Sequence, residues 1–290
     1  MAKCNVCFRH CDIREGGRGF CGARSCKDGQ VYPNNYGRLT SLALDPIEKK
    51  PLRRFHPGTM ILSLGSYGCN LRCPFCQNSE ISWSDHALSL ADSEDGAYTK
   101  TFMPEELVEI AKEQKPFGNI GIAFTYNEPL IGYEFVRDTA KLAHDRGLLN
   151  VLVSNGTASL EVLYEIAPYI DAMNIDLKGF SREYYNGFLG GSLEMTLEFI
   201  KAAVTLCHVE LTTLVVPGEN DSATKMRELS SWIADLKDSR GSVIGPDIPL
   251  HLLRYYPRFK LADREPTSFD TIKKLAETAE EKLRYVYSAC

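Results

Sequence analysis

Beyond residue 100 the chain alternates two hydrophobic periods. Short apolar runs recur at 119–125, 150–154, 172–177, 209–216 and 250–254. Near-continuous runs of that length suit strands buried on both faces of a parallel sheet. Between them apolar residues return every three or four positions, at about 131–146, 158–168, 192–206, 222–238 and 268–283, the spacing of helices with one buried side. Pro104-Glu105-Glu106 opens a further helix, with proline and acids in its first turn and Leu107, Ile110 and Ala111 on its inner side. Counting the run Met60–Leu64, there are six strand–helix units, too few to close an eight-stranded barrel. The alternation therefore predicts an α/β fold, an open parallel (β/α)6 partial barrel, with Arg284–Tyr287 adding an edge strand.

Residues 1–58 lack this rhythm and read as a cysteine-rich, metal-binding segment with a hairpin, set before a barrel of residues 59–290. Gln30–Tyr32 and Tyr36–Ala43 alternate around Pro33-Asn34-Asn35 as two short strands. Asp45–Leu52 is a proline-bounded connector, and the polar, acidic stretch 83–101 reads as a surface excursion.

Composition narrows the class. An apolar fraction of 44% supports a large core, and a net charge of −5 gives no electrostatic case for nucleic acid. No apolar run approaches a membrane span, and Met1-Ala-Lys-Cys4 is no signal peptide. Seven of ten cysteines fall into two tight clusters, which in a reducing compartment reads as metal binding, so a cytoplasmic, oxygen-sensitive protein is expected.

The first cluster is Cys69, Cys73 and Cys76, spaced C-x3-C-x2-C directly after the run Met60–Leu64. Ordinary electron-transfer clusters use four cysteines, so three imply an iron with an open position, as catalytic metal sites have. A structural zinc loop is the alternative, although zinc sites usually pair two C-x2-C knuckles. The second cluster, Cys4, Cys7, Cys11 and Cys21 with Cys26 to spare, carries Gly16, Gly17, Gly19 and Gly22 for tight turns. It has too few apolar residues to fold by itself, so zinc or a second iron–sulfur cluster is the expected staple; reduced, unliganded thiols are the other reading. There is no P-loop, no G-x-G-x-x-G after a strand and no G-x-S-x-G.

At Cys69-Asn-Leu-Arg-Cys73-Pro-Phe-Cys76 the chain resembles the radical S-adenosylmethionine (SAM) superfamily. With its C-x2-C-x3-C opening, the phrase Asp45-Pro-Ile-Glu-Lys-Lys-Pro-Leu52 and Cys76-Gln-Asn78, it resembles more narrowly the radical SAM component of the AmmeMemoRadiSam system, a group close to the pyruvate formate-lyase activating enzymes. The likeness runs over essentially the whole chain. It implies a [4Fe–4S] cluster on Cys69, Cys73 and Cys76 whose open iron is chelated by the amino and carboxylate groups of SAM. One electron then cleaves the sulfonium, and the 5′-deoxyadenosyl radical, rather than any side chain, abstracts hydrogen.

The resemblance also implies SAM contacts at the strand ends, where α/β barrels place their ligands. Glu128 and Pro129 match the end of the family's Gly-Gly-Glu-Pro motif, while Tyr126 and Asn127 depart from its double glycine, Asn127 being expected to contribute backbone or side-chain contacts to SAM; a carboxylate facing an ammonium is a strong pairing. Ser154 and Asn155 stand at the family's Thr-Asn-Gly turn, Asp176 and Lys178 at its ribose and carboxylate contacts, His251 where a histidine closes over SAM, and Phe75 against the adenine. Asp176 and Lys178, two apart on a strand, also share one side. Cys207 and His208, adjacent at a strand start, point to opposite sides. Arg254, Tyr255, Tyr256 and Arg258 are candidates to face substrate, and Gly187–Gly191 reads as a flexible loop on the substrate side. Implied partners are a flavodoxin- or ferredoxin-type reductant and a glycyl radical enzyme as protein substrate. Modification of a small molecule or peptide is the alternative, and a non-catalytic iron–sulfur or zinc adaptor a remote one.

Overall fold

The computed structural model describes residues 1–93 and 98–289. Six short strands open the chain: β1 (Ala2–Lys3), β2 (Asp12–Ile13), β3 (Arg24–Lys27), β4 (Gln30–Pro33), β5 (Arg38–Leu39) and β6 (Ser41–Pro46). They are followed by β7 (Met60–Gly65), β8 (Lys100–Thr101), β9 (Asn119–Phe124), β10 (Leu149–Ser154), β11 (Ala172–Asp176), β12 (His208–Val215), β13 (Leu250–Arg254) and β14 (Val286–Ala289). The main sheet has the order β14-β13-β12-β11-β10-β9-β7-β6. Within this sheet every pairing from β7 across to β14 is parallel, as the alternation predicts, and the sheet remains open. At the other edge β6 pairs antiparallel with β7, Ser41 opposite Gly65 and Pro46 opposite Met60. The sheet thus takes in residues that a division at position 58 leaves with the amino-terminal segment.

The expected hairpin around Pro33-Asn34-Asn35 does not form. β4 pairs back onto β3 through Asp28-Gly29, whose φ values of 51° and 70° make the two-residue turn that matches strand twist. Arg38 and Leu39 pair with β8 instead. Within the expected excursion at 83–101 the chain is partly helical, and residues 94–97 lie outside the described residues.

Helices α1 (Ser79–Ser82) and α2 (Asp85–Ser89) follow the first strand of the barrel; then come α3 (Pro104–Glu113), α4 (Tyr133–Asp145), α5 (Leu160–Ile166), α6 (Leu193–Ala203), α7 (Ala223–Ala234) and α8 (Phe269–Glu280). The last four begin alike. The hydroxyls of Ser159, Ser192, Ser222 and Ser268 each accept from the amide three residues on, occupying a donor that the first turn leaves free. The apolar faces of these helices cover the outer side of the sheet in one continuous core.

The inner side of the barrel is filled from below by the β6–β7 connector. Ile47 and Leu52, both fully buried, pack with Ile61, Ala123, Val151 and Ala172 on the strands' inner face. Polar bonds fix the same segment. Asn174 Nδ2 donates to the Pro51 carbonyl at 2.9 Å, and the amides of Arg53 and Arg54 donate to Glu210 at 3.0 and 2.7 Å. What reads in sequence as a linker is therefore the floor of the barrel. No helix among the described residues is long and apolar enough to cross a membrane.

Candidate active site

Above that floor, at the carboxyl ends of the strands, lies a cavity of about 700 Å³, within the size range of small-molecule sites. Cys69, Cys73 and Cys76 form one side of it; Glu128, Asp176 and Lys178 stand among the other lining residues. The cysteine loop leaves β7 through Gly68, whose φ of +92° and approach to the Cys21 carbonyl (2.6 Å from an added Cβ) require glycine. Two donors are already set toward one sulfur. Leu71 N lies 3.4 Å and Asn155 Nδ2 3.8 Å from Cys69 Sγ. Burial pushes the Cys73 thiol up to about 12 and moves Cys69 and Cys76 the same way. Neutral thiols are poor ligands, so a cationic centre bound here would have to draw off their protons.

Glu128 is 3% exposed, and three donors hold it: Leu130 N at 3.0 Å, Ser154 Oγ at 2.9 Å and Asn155 N at 2.8 Å. Burial nevertheless raises it to about 7, with Asp176 adding repulsion. A buried carboxylate with this balance is suited to receive a cation. Ser154 and Asn155 thus act on Glu128 first, and Asn155 also bonds Asn70 Oδ1 at 2.9 Å, tying β10 to the cysteine loop. Asn127 braces the same region, accepting from Ser66 N at 3.0 Å and donating to the Gly68 carbonyl at 3.1 Å. Pro129 is buried outside the cavity, at the start of the turn into α4.

Tyr126 explains how the chain does without the double glycine. Its φ of 70° is the left-handed conformation that glycine favours. The strain is offset where its hydroxyl donates to Asp45 Oδ2 at 2.5 Å and its ring lies 4.5 Å from Lys50 Nζ. Asp45, Lys49 and Lys50 are lining residues that pattern reading missed as a site; the phrase Asp45-Pro-Ile-Glu-Lys-Lys was the available signal. Lys50 Nζ meets Asp45 at 2.9 Å and Lys49 Nζ at 3.1 Å. Burial tends to raise Asp45, but Tyr126 and the two lysines outweigh it and hold the carboxylate well below its ordinary range.

Asp176 and Lys178 share one side, as their spacing predicts, and form an ion pair of 2.8 Å. Burial works against the Lys178 charge; the charge of Asp176 and its bond outweigh it and hold the ammonium protonated. Phe75 lines the cavity with its ring centroid 6.1 Å from that of Phe188. His251 is not brought to this group. It is 4% exposed, bonded through Nε2 to Glu210 Oε2 at 2.6 Å and stacked on Tyr287, deep in the floor. Arg254 turns outward, donating to the Thr267 carbonyl and lying on Phe269; from its strand Leu253 lines the cavity. Gly187–Gly191 is no free loop. Tyr184–Leu189 form a wide helical turn with buried Tyr185 and Leu189, pinned where Arg72 N donates to the Leu189 carbonyl at 2.8 Å. Cys207 and His208 diverge as expected, Cys207 toward the Ala203 carbonyl and His208 toward Glu210 and Phe55.

Among the described residues no three His, Cys, Asp or Glu side chains are drawn together tightly enough for a single ion. Cys69, Cys73 and Cys76 surround a space instead, and so do Cys4, Cys7, Cys11 and Cys21 at a second, small cavity behind the loop.

The sequence model of the Radical SAM superfamily matches residues 64–229, from the first barrel strand into α7. The chain belongs to that superfamily. This radical SAM protein is 39% identical over 98% of its length to an uncharacterized protein of Methanocaldococcus jannaschii, of which the match covers 80%. It is 25% identical to the pyruvate formate-lyase-activating enzyme of Clostridium pasteurianum over 74% of this chain and 88% of that one. Among solved structures, QueE from Escherichia coli superimposes with a TM-score of 0.54 at 14% identity, covering 87% of this radical SAM chain and 93% of QueE. Streptococcus suis SuiB bound to S-adenosylmethionine gives 0.55 at 12% identity, over 77% and 48%. The superfamily implies a [4Fe–4S] cluster and SAM. Three thiols on one cavity wall, Cys73 buried and Cys69 and Cys76 partly so, with donors already set toward Cys69 Sγ, fit that cluster.

Proposed function

We propose that this protein cleaves SAM reductively and uses the resulting radical to take a hydrogen atom from a substrate held in the same cavity, most specifically a backbone glycine of a partner enzyme. The observation that carries the reading is the meeting of Cys69, Cys73, Cys76, Glu128 and the Asp176–Lys178 pair on one cavity at the strand ends. Cys69, Cys73 and Cys76 would hold the cluster, which with SAM bound supplies one-electron cleavage of the sulfonium and a carbon-centred abstracting radical.

The chain's own residues bind, orient and enclose. Glu128 receives the amino group of SAM, its two oxygens held by Ser154 and the Asn155 and Leu130 amides. Lys178 offers its ammonium to the SAM carboxylate, while Asp176 keeps it protonated and has an oxygen free for a ribose hydroxyl. Phe75 offers a ring beside the base. Asn155 orients the Cys69 sulfur through its side chain and Glu128 through its backbone amide, so one residue sets the ligand's position relative to the metal site. The connector floor shuts water out from beneath.

The glycine reading draws on the similarity to the pyruvate formate-lyase-activating enzyme. Asp45, Lys49 and Lys50, lining the same cavity, favour a second: a small, polar or anionic substrate held directly there. Anaerobic reconstitution with iron, sulfide, SAM and dithionite tests the common step. Formation of 5′-deoxyadenosine is expected, and its absence in cluster-loaded protein would refute catalysis. A doublet electron-spin signal on a co-expressed partner separates glycine activation from small-molecule chemistry.

A further inference from the structure

We infer that Cys4, Cys7, Cys11 and Cys21 form a second, thiolate-bound metal centre, whose role is to hold the clamp that Arg9 places on the radical-cluster loop. The four sulfurs come from separate turns of the first 21 residues and line one small cavity together with Gly19, Arg9, Arg24 and Asn70. Cys4, Cys7 and Cys21 are each 7% exposed. Cys26, the spare thiol, does not join them; its Sγ lies 3.7 Å from Glu15 Oε2.

Two cations on this cavity point to an anionic occupant. Arg24 is 4% exposed, and both its terminal nitrogens are engaged by Glu134 and the Ile131 carbonyl. Its Nε is buried without a partner among the described residues. A buried, unused charged donor is costly, and an anionic sulfur centre beside it supplies the acceptor. Arg9 has no carboxylate partner among the described residues. It donates to the Asn70 carbonyl at 3.2 Å and to the Gly190 carbonyl, and its guanidinium lies over Phe8 and Phe20. Four thiolates around a divalent metal, or around a [4Fe–4S]²⁺ core, leave a net charge of about −2, which Arg9 and the free Arg24 donor face. Each thiol releases its proton as metal binds, so the centre forms by exchange of protons for metal without oxidation or reduction.

The placement gives this centre a task. Arg9 stands on the turn between Cys7 and Cys11 and grips Asn70, whose side chain bonds Asn155 and Thr157. The same turn reaches Gly190, beyond the helical turn that carries Phe188 to Phe75. A metal that closes the Cys7–Cys11 turn therefore fixes Arg9, and through Asn70 the loop bearing Cys69 and Cys73.

The clamp's role rests on the radical SAM reading, whereas the metal centre is tested without activity. The full chain carrying Cys69→Ala, Cys73→Ala and Cys76→Ala is purified anaerobically and its metal measured. About one zinc or about four iron per chain is expected; either supports the centre, and the value identifies its metal. Cobalt(II) replacing zinc should show thiolate-to-metal charge transfer. Folded triple variant without metal would overturn the inference, as would metal that persists after Cys7→Ser and Cys21→Ser are added. The native chain gives an independent measurement: metal in excess of one four-iron cluster is expected, and four iron with nothing further would overturn it. Arg9→Ala should keep the second metal while weakening SAM binding several-fold, an effect that Arg9→Lys restores in part.

Discussion

Glu128 accepts three hydrogen bonds and still titrates near 7, because complete burial outweighs those donors and Asp176 opposes its charge. Its folded value lies above the ordinary 4.5. The stability it lends is therefore full below 4.5 and is lost as pH rises through 7, unless a cation pairs with it. Affinity for SAM should accordingly fall about tenfold per unit as pH drops below 7, measured by calorimetry on cluster-loaded protein. Glu128→Gln should flatten that profile and weaken binding by roughly ten- to a hundredfold, the loss of a charge-assisted bond; an unchanged profile would place the ammonium elsewhere. Tyr126→Phe removes the hydroxyl that ties a left-handed residue to Asp45. A loss of about 1–3 kcal/mol in denaturant unfolding is expected, as for leaving a buried acceptor short of its donor. Cysteine spacing and strand-end residues were legible in the sequence at this scale. The left-handed Tyr126 was not, since nothing in Thr-Tyr-Asn-Glu-Pro shows that the distant Asp45 carboxylate accepts from the tyrosine hydroxyl and offsets the strain.

The β6–β7 connector is the element whose role changes most between sequence and structure. Proline at both ends and a run of charges suggest a linker, yet Ile47 and Leu52 are fully buried and the Arg53 and Arg54 amides bond Glu210. Leu52→Ala should cost about 2–5 kcal/mol, as for other buried truncations, read by urea unfolding. Burial alone would raise Glu210; its bonds to His208, His251 and the two amides outweigh that and hold it near 2. Glu210 thus contributes stability above its ordinary 4.5 that is lost as pH falls through 2. Glu210→Ala, which strips four donors of their acceptor, should cost about 3–5 kcal/mol at neutral pH. A variant unfolding like the native chain would show that the floor is not held by this carboxylate. His251 belongs to the same device: a histidine on a barrel strand looks identical in sequence whether it faces a ligand or a glutamate.

For the whole molecule, a cluster on Cys69, Cys73 and Cys76 would add its binding free energy to the stability of the fold. Removing iron by oxidation and chelation should lower the unfolding temperature by several degrees, followed by circular dichroism, and the drop should shrink in the Cys69→Ala, Cys73→Ala, Cys76→Ala variant. The α/β class, the parallel order of the strands from Met60 onward and the three-cysteine loop were all written in local pattern, because hydrophobic period and ligand spacing are properties of neighbouring residues. The antiparallel β6 edge, the connector turned into a floor, the withdrawal of His251 from the ligand side and the grip of Arg9 on the cysteine loop depended on partners far along the chain, Arg53 with Glu210 and Arg9 with Gly190 among them. Such contacts arise only once the sheet has set the distances between its strands, and no local period encodes them.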